Sequence, residues 1–343
     1  MTRMTTGSAD EYPPSGYLID YGHLGSEPVV IVSAPDGARV VVARRGATLL
    51  RWEVNRLGAR FDLTDGYRDE AELRAQDGVR NGVLAPFPNR VADARYTFAG
   101  VEHDLLPGGT SRLIYHGFVR EHPFDLAEAV VSADSARLKL TTRIQSGWQS
   151  GYPFRLAFAV TYAVSANEIA VTTSVTNQGA FPAPYAAGWH PYFRLPGTVD
   201  DWTLEIPART TIRTDDALIP LDGAAAYQSL DDNPAMDFRR PRKLAGLVID
   251  ACFTDLAAAP GESAETVLRH TQTPDELRVW QSAGAMHVFT GDTLARDQRR
   301  SIALEPVETI TNAFNRSDCA GALHLDPGQS RTFRFGARYP RNH

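Results

Sequence analysis

Four short segments concentrate side chains able to move protons or grip a polyhydroxylated ligand. The segment Ile302 to Asn315, IALEPVETITNAFN, sets Glu305 after an apolar stretch and before a proline. A carboxylate at the end of a buried strand is costly unless it is paired or functional. Glu308, three residues on, reads as exposed. The segment Gly188 to Phe193, GWHPYF, packs His190 among Trp189, Pro191 and Tyr192. That aromatic setting suits the apolar face of a sugar, and burial in it lowers a histidine pKa toward or below neutrality. A satisfied imidazole in an aromatic core cluster fits the same residues. YHGFVR, Tyr115 to Arg120, places His116 before a glycine, which permits close backbone approach or an unusual dihedral. A lone histidine also serves structure. GVLAPFPNR, Gly82 to Arg90, ends in Asn89 and Arg90. An ordered guanidinium offers a fixed fork of donors to sugar hydroxyls, or makes a structural salt bridge.

A carboxylate with two histidines, an arginine and an asparagine is a sufficient kit for paired acid–base catalysis. The sequence has no G-x-S-x-G, H-E-x-x-H, P-loop or G-x-G-x-x-G, so nucleophilic, zinc-protease, phosphate-loop and dinucleotide chemistry lack their motifs. Proton transfer without a cofactor or metal is the chemistry left.

Strands must position these groups. Val29 to Ser33 and Ala38 to Ala43 are β-branched and flank the turn Pro35-Asp36-Gly37. Ala136 to Ile144 alternates apolar and polar residues, as do Phe154 to Val164 and Glu168 to Asn177, and Ser165-Ala166-Asn167 joins the last two as a hairpin. Further strands are expected at 202–206, 266–271, 277–281, 287–290 and 332–339. Helical periodicity is nearly absent, with Tyr67 to Gln76 the best candidate. Many strands without a βα alternation predict an all-β fold, a large β-sandwich with few short helices. Residues 1–15 are small, polar and proline-containing and read as a flexible tail, leaving 16–343 as a single domain.

The 343 residues carry 43% hydrophobic and 22% charged side chains and a formal net charge of -6. A substantial core is therefore available, and the basic footprint of a nucleic-acid binder is missing. No apolar run is long enough for a membrane helix, and no secretory h-region is present. Cys252 and Cys319 form no C-x-x-C pair, and reduced, buried thiols in a cytoplasmic protein are expected. The expected partner is a neutral small molecule, with neither nucleic acid nor membrane, on a monomer or homodimer.

With these segments in hand, the chain resembles the bacterial branch of the aldose 1-epimerase (galactose mutarotase) family. The resemblance runs from Pro14-Ser15-Gly16 to Leu325-Asp326-Pro327-Gly328 and takes in GVLAPFPNR, HGFVR, HPYF, VIDACFTDL, MHVFTGD and LEPVETITNAFN in the family's order. It implies the galactose mutarotase-like supersandwich, no metal, no organic cofactor, and a free aldose as substrate. It implies Glu305 as general base and His190 as general acid. Asn89, Arg90, His116 and Asp250 would bind substrate, with Tyr192 of the aromatic segment beside them, and His287 stands where many members carry a glutamine that contacts the sugar. Trp189, Phe118 and Phe124 also depart from the common pattern and bear on the identity of the sugar.

The implied reaction removes the anomeric proton with Glu305 and protonates the ring oxygen with His190. Rotation of the freed aldehyde and reclosure then give the other anomer, and a bell-shaped pH profile follows. Three other readings belong to the same sequence. A hexose-phosphate mutarotase would need basic residues at the pocket mouth, for which Arg112, Arg120 and Arg194 are candidates. A specialised epimerase of a biosynthetic pathway and a sugar-binding module without turnover are the others.

Overall fold

The computed structural model describes residues 16–340; the expected N-terminal tail lies outside them. The architecture is all-β. Every ladder between the strands is antiparallel, and the α-helices among the described residues are two short ones, Glu70–Ala75 and Ala320–Leu323.

Three sheets dominate. A meander of five strands opens the described chain, from Leu18–Leu24 to Ala59–Asp62. Its turn at Pro35-Asp36-Gly37 closes with Asp36 accepting the Ala38 N–H at 2.9 Å. A nine-stranded sheet carries the long alternating strands, with Glu168–Asn177 between Leu156–Ser165 and Ser330–Arg338. In the first two of these, buried and half-buried residues alternate without a break, as a strand with one face on a core requires. The expected hairpin is present, with Ser165 opposite Glu168.

The third sheet, of eight strands, reads differently in sequence. Its strands Val83–Leu84, Gly188–Trp189 and Tyr192–Phe193 are two residues long, and every residue of Ile302–Val307 is buried. Neither kind shows alternation, because two residues are too few and a strand covered on both faces has no polar side. A hydrophobic cluster from Tyr17 to Tyr339 fills the space between the sheets, with Trp52, Trp189, Trp202 and Phe335 fully buried in it. No helix among the described residues is long and apolar enough to cross a membrane.

The helix expected over 67–76 spans Glu70–Ala75. Asp69 caps it by accepting the Glu72 N–H, and Gln76 ends it in the left-handed region at φ 56°. The turn that follows leads directly to the functional site.

Candidate active site

Three adjacent strands of the eight-stranded sheet lay charged side chains side by side. Asp250–Leu256, Ala285–Phe289 and Ile302–Val307 pair in order, with Cys252 opposite His287 and His287 opposite Glu305. Because strand side chains alternate faces, Asp250, Cys252, His287 and Glu305 share one face. Tyr192–Phe193 pairs with the far side of Ile302–Val307, so Tyr192 joins that face opposite Ala303.

His190 arrives from the chain just before Tyr192. Its N–H bonds the Gly82 carbonyl at 2.9 Å, and its own carbonyl accepts from Asn81 at 2.9 Å. The Asn81 side chain then accepts the Tyr192 N–H at 2.7 Å. So fixed, His190 stacks on Tyr192 with ring centroids 5.0 Å apart, and its Nε2 stands 3.3 Å from Oε1 of Glu305.

The fourth wall comes from two loops run together. Asn89 and His116 both have left-handed backbones, at φ 55° and 63°. They exchange bonds: the His116 N–H donates to the Asn89 carbonyl at 2.9 Å, and the Asn89 N–H donates to Nδ1 of His116 at 3.2 Å. Gly117 is what allows this. Its φ is +61°, and a Cβ there would lie 2.0 Å from the Ala85 carbonyl oxygen, so no other residue fits. Arg90 donates to its neighbour's Asn89 Oδ1 at 3.1 Å. It forms no ion pair with the described residues, so the structural salt bridge that the sequence allowed is not made.

The structure thus brings Glu305, His190, Asn89, Arg90, His116, Tyr192, Asp250 and His287 to one cavity of about 270 Å³. That is just below the roughly 300–1,000 Å³ of clefts for drug-sized ligands, and it suits one sugar ring. His287 faces this cavity rather than the sheet core, and its Nε2 lies 2.8 Å from Oδ1 of Asp250.

Burial acts on these groups in different directions. It pushes the Glu305 carboxyl up to about 8, with the nearby His287 charge opposing it in part. It drives His190 down to about 3, and the charge of His287 adds to that. Burial, with His190 beside it, also holds His116 well below the usual imidazole range. His287 goes the other way: burial disfavours its charge, but Glu305, the Asp250 bond and the Cys252 thiol outweigh burial and raise it well above the usual range. Burial opposes ionisation of Asp250 too, and there the His287 bond and charge prevail, so Asp250 is held low. The result is an Asp250–His287 ion pair beside a His190–Glu305 couple that keeps a single proton over a wide pH range. The sequence reading assigned that proton to His190 and left Glu305 ionised. Burial tips the balance the other way, because both sites are dry and dryness favours the neutral form of each.

Three sequence expectations near the site are corrected. Trp189 does not surround His190. It points to the opposite face and stacks on Phe335 at 5.4 Å, because adjacent residues of an extended chain alternate. Glu308 is not exposed; it is half-buried, with Oε2 accepting the Ala187 N–H at 2.6 Å. Metal ligation, which the sequence offered no cluster for, has one in space. His116, His190 and Glu305 each bring a ligand atom within 4.8 Å of the others, the ligand count of an open zinc site.

The arginines weighed for a phosphate are elsewhere. Arg112 bonds the Asp93 and Leu106 carbonyls and Asp104, Arg120 bonds the His116 and Gly117 carbonyls, and Arg194 bonds the Asp62 carbonyl. The cavity is instead completed by residues the sequence reading passed over: Asp77, Gly78, Val79, Tyr115, Phe289 and the loop Thr293-Leu294-Ala295. Asn81, which orients both His190 and Tyr192, was also missed. The one signal for it was the Asn81-Gly82 pair, a turn marker directly before the loop that was noticed.

Comparison with known proteins places the chain in a family. The family model described as aldose 1-epimerase matches residues 28–338. The aldose 1-epimerase of Escherichia coli is 27% identical over 293 residues, covering 76% of this chain and 81% of that protein. The uncharacterized protein YihR of the same organism is 28% identical over 236 residues, covering 68% and 71%. The crystal structure of galactose 1-epimerase from Lactobacillus acidophilus superimposes with a TM-score of 0.80 at 17% identity, covering 96% of this chain and all of that one, 100%. That likeness establishes the galactose mutarotase-like fold. With a family match over nearly all of the described strands, this chain belongs to the aldose 1-epimerase family.

Proposed function

We propose that the protein interconverts the α and β anomers of a free aldose by acid–base opening and closure of the sugar ring. The observation that supports this most is the His190–Glu305 couple: 3.3 Å apart, buried and facing a sugar-sized cavity. Ring opening removes a proton from the anomeric hydroxyl and adds one to the ring oxygen, so it needs one base and one acid and no net proton. A couple holding a single proton supplies both. Moving that proton from Glu305 to His190 makes the carboxylate the base and the imidazolium the acid. The His287 charge favours the ionised carboxylate, and the Asp250 charge favours the imidazolium against the opposing His287 charge. Closure on the other face of the aldehyde reverses both transfers.

Arg90, His116 and Asp250 hold the remaining hydroxyls, so that motion is confined to the anomeric end. Tyr192 offers its ring to the sugar's apolar face. His287 fixes the Asp250 carboxylate and takes the glutamine's place at the sugar. No step needs a metal or an organic cofactor. Both cysteines are free and buried, which supports a cytoplasmic setting.

The test is direct: dissolve single anomers of glucose, galactose, xylose and other aldoses, and follow optical rotation or the anomeric proton signals with and without protein. At least one aldose should equilibrate orders of magnitude faster with protein. Saturable sugar binding with an unchanged rate for every aldose would replace this reading with that of a binding module.

A further inference from the structure

The cavity has two chemically distinct ends. At one end lie Asn89, Arg90, His116, Asp250 and His287. The outer end is built from Asp77-Gly78-Val79, the turn after helix Glu70–Ala75, and from the facing loop Thr293-Leu294-Ala295. Gly78 lets these two meet: a Cβ on it would stand 2.9 Å from Leu294 Cδ2 and 3.7 Å from the Tyr192 hydroxyl.

Sugar connectivity decides what lies at the outer end, given the assignment of His190 to the ring oxygen, on which this inference rests. The ring oxygen is bonded to the anomeric carbon on one side. On the other it is bonded to the carbon that carries the exocyclic hydroxymethyl group of a hexose. With the anomeric hydroxyl at Glu305 and the ring oxygen at His190, that second carbon extends past His190 on the side of Tyr192. Tyr192 stacks on His190, and its hydroxyl borders Gly78. The exocyclic group therefore points at the Asp77 rim.

Asp77 is exposed there, and its carboxylate makes no hydrogen bond or ion pair with any described residue. The cations behind the rim are occupied. Arg80 is paired with Asp65, Arg296 with Asp65, Glu72 and Asp297, and Arg68 with Asp297. These three arginines thus face three carboxylates, and none of the three is left free for a ligand. Arg90 lies at the opposite end of the cavity.

We propose that Asp77 is a specificity residue that reads the exocyclic end of the sugar, admitting an uncharged hydroxymethyl group and rejecting sugars that carry an anion there, such as hexose 6-phosphates and uronic acids. The discrimination is repulsive: a phosphate dianion set beside an unpaired carboxylate, with the arginines behind it already paired, is disfavoured, whereas a hydroxyl can donate to the same oxygen atoms.

The experiment compares kcat/KM for glucose and glucose 6-phosphate in the wild type and in Asp77→Asn, at low and at high salt. The wild type should prefer glucose by about tenfold or more at low salt, since two unit charges a few ångströms apart differ by several-fold even in water. Asp77→Asn should narrow that ratio several-fold. Added salt should narrow it in the wild type and leave it nearly fixed in the variant, a dependence that a merely structural residue would not show. An equal wild-type rate on both sugars, or a ratio that Asp77→Asn does not move, overturns the proposal and leaves the mutarotase reading intact. If no aldose is turned over at all, the mutarotase reading fails on its own. Saturation-transfer NMR binding of the same two sugars to the same two proteins then decides Asp77 by the same ratio.

Discussion

Two clusters of buried charge flank Tyr192, and they are built on opposite terms. On one side, Asp65 receives Arg80 at 2.5 Å, Arg296 at 2.8 Å and Ser301 at 3.0 Å, and Arg296 goes on to Glu72 and the Gly66 carbonyl. On the other, Glu305 meets only His190, at 3.3 Å, while its Oε2 and the His190 Nδ1 have no hydrogen-bond partner among the described residues. Burial opposes ionisation in both. Around Asp65 the arginines and the serine overcome it and hold the carboxyl below its usual range, whereas around Glu305 it prevails and the carboxyl rises to about 8. A saturated cluster spends its donors on the fold. An unsaturated one keeps lone pairs and a proton in reserve for a ligand.

The sharpest way to break the contrast is to neutralise each carboxylate in turn. Glu305→Gln keeps the shape and removes the base, so anomer exchange should fall by about two orders of magnitude or more. Its stability should move the other way. A raised carboxyl pKa costs folding free energy as pH climbs from the ordinary carboxyl value toward 8, so the variant should be more stable than wild type at pH 8, by a few kcal/mol at most. Near-normal exchange in a folded Glu305→Gln protein would remove Glu305 from the chemistry.

Asp65→Asn should do the reverse. It leaves the buried Arg80 guanidinium without its counter-charge, while Arg296 keeps Glu72 and Asp297, and the loss at Arg80 costs about 3–5 kcal/mol in urea unfolding at pH 7. The sign with pH is also opposite. The Asp65 contribution is complete above the ordinary aspartate value and is lost as pH falls through its depressed one. Equal stability of wild type and Asp65→Asn would show that the saturated cluster is not structural.

A smaller effect is expected at His287, the charge that borders the reactive couple. In the wild type, exchange should decline as pH rises through about 8, where the couple loses its last proton, and should hold well below the usual histidine range on the acid side. The His287 charge lowers both members of the couple, so His287→Gln should raise both and shift both limbs of the profile to higher pH, by about one unit. It should also move sugar preference toward common hexoses such as glucose or galactose. An unmoved profile with the parent's ranking of sugars would place specificity elsewhere on the pocket wall.

The smallest effect concerns metals. Exhaustive chelation should leave the rate unchanged. Added zinc ion should inhibit, competitively with sugar, because His116, His190 and Glu305 offer it a three-ligand site at the couple itself. Loss of activity on chelation, restored by one metal, would refute the cofactor-free mechanism.

What was legible in the sequence follows from range. The long strands of the nine-stranded sheet announce themselves because their alternation repeats over ten residues, as in Leu156–Ser165 and Glu168–Asn177. The site segments could be picked out because glycine, proline, histidine and carboxylate within a few residues mark loops that are held for a purpose, and their order along the chain matched a family. Gly117 is legible in the same way, as a local demand on the backbone.

What required the folded chain is everything set by neighbours distant in sequence. Asp77 and Thr293 carry no local mark, and only the packing of the turn at 77–79 against the loop at 293–295 brings them to the cavity. The strands around the couple are too short or too thoroughly buried to alternate. The location of the shared proton is likewise invisible to a reading by residue type. It depends on the dryness around His190 and Glu305 and on a His287 charge held by Asp250, 37 residues away in the chain. Residue types and their order fix which groups are available. Desolvation and charge coupling exist only between groups the fold has brought together, and they decide which of those groups holds the proton.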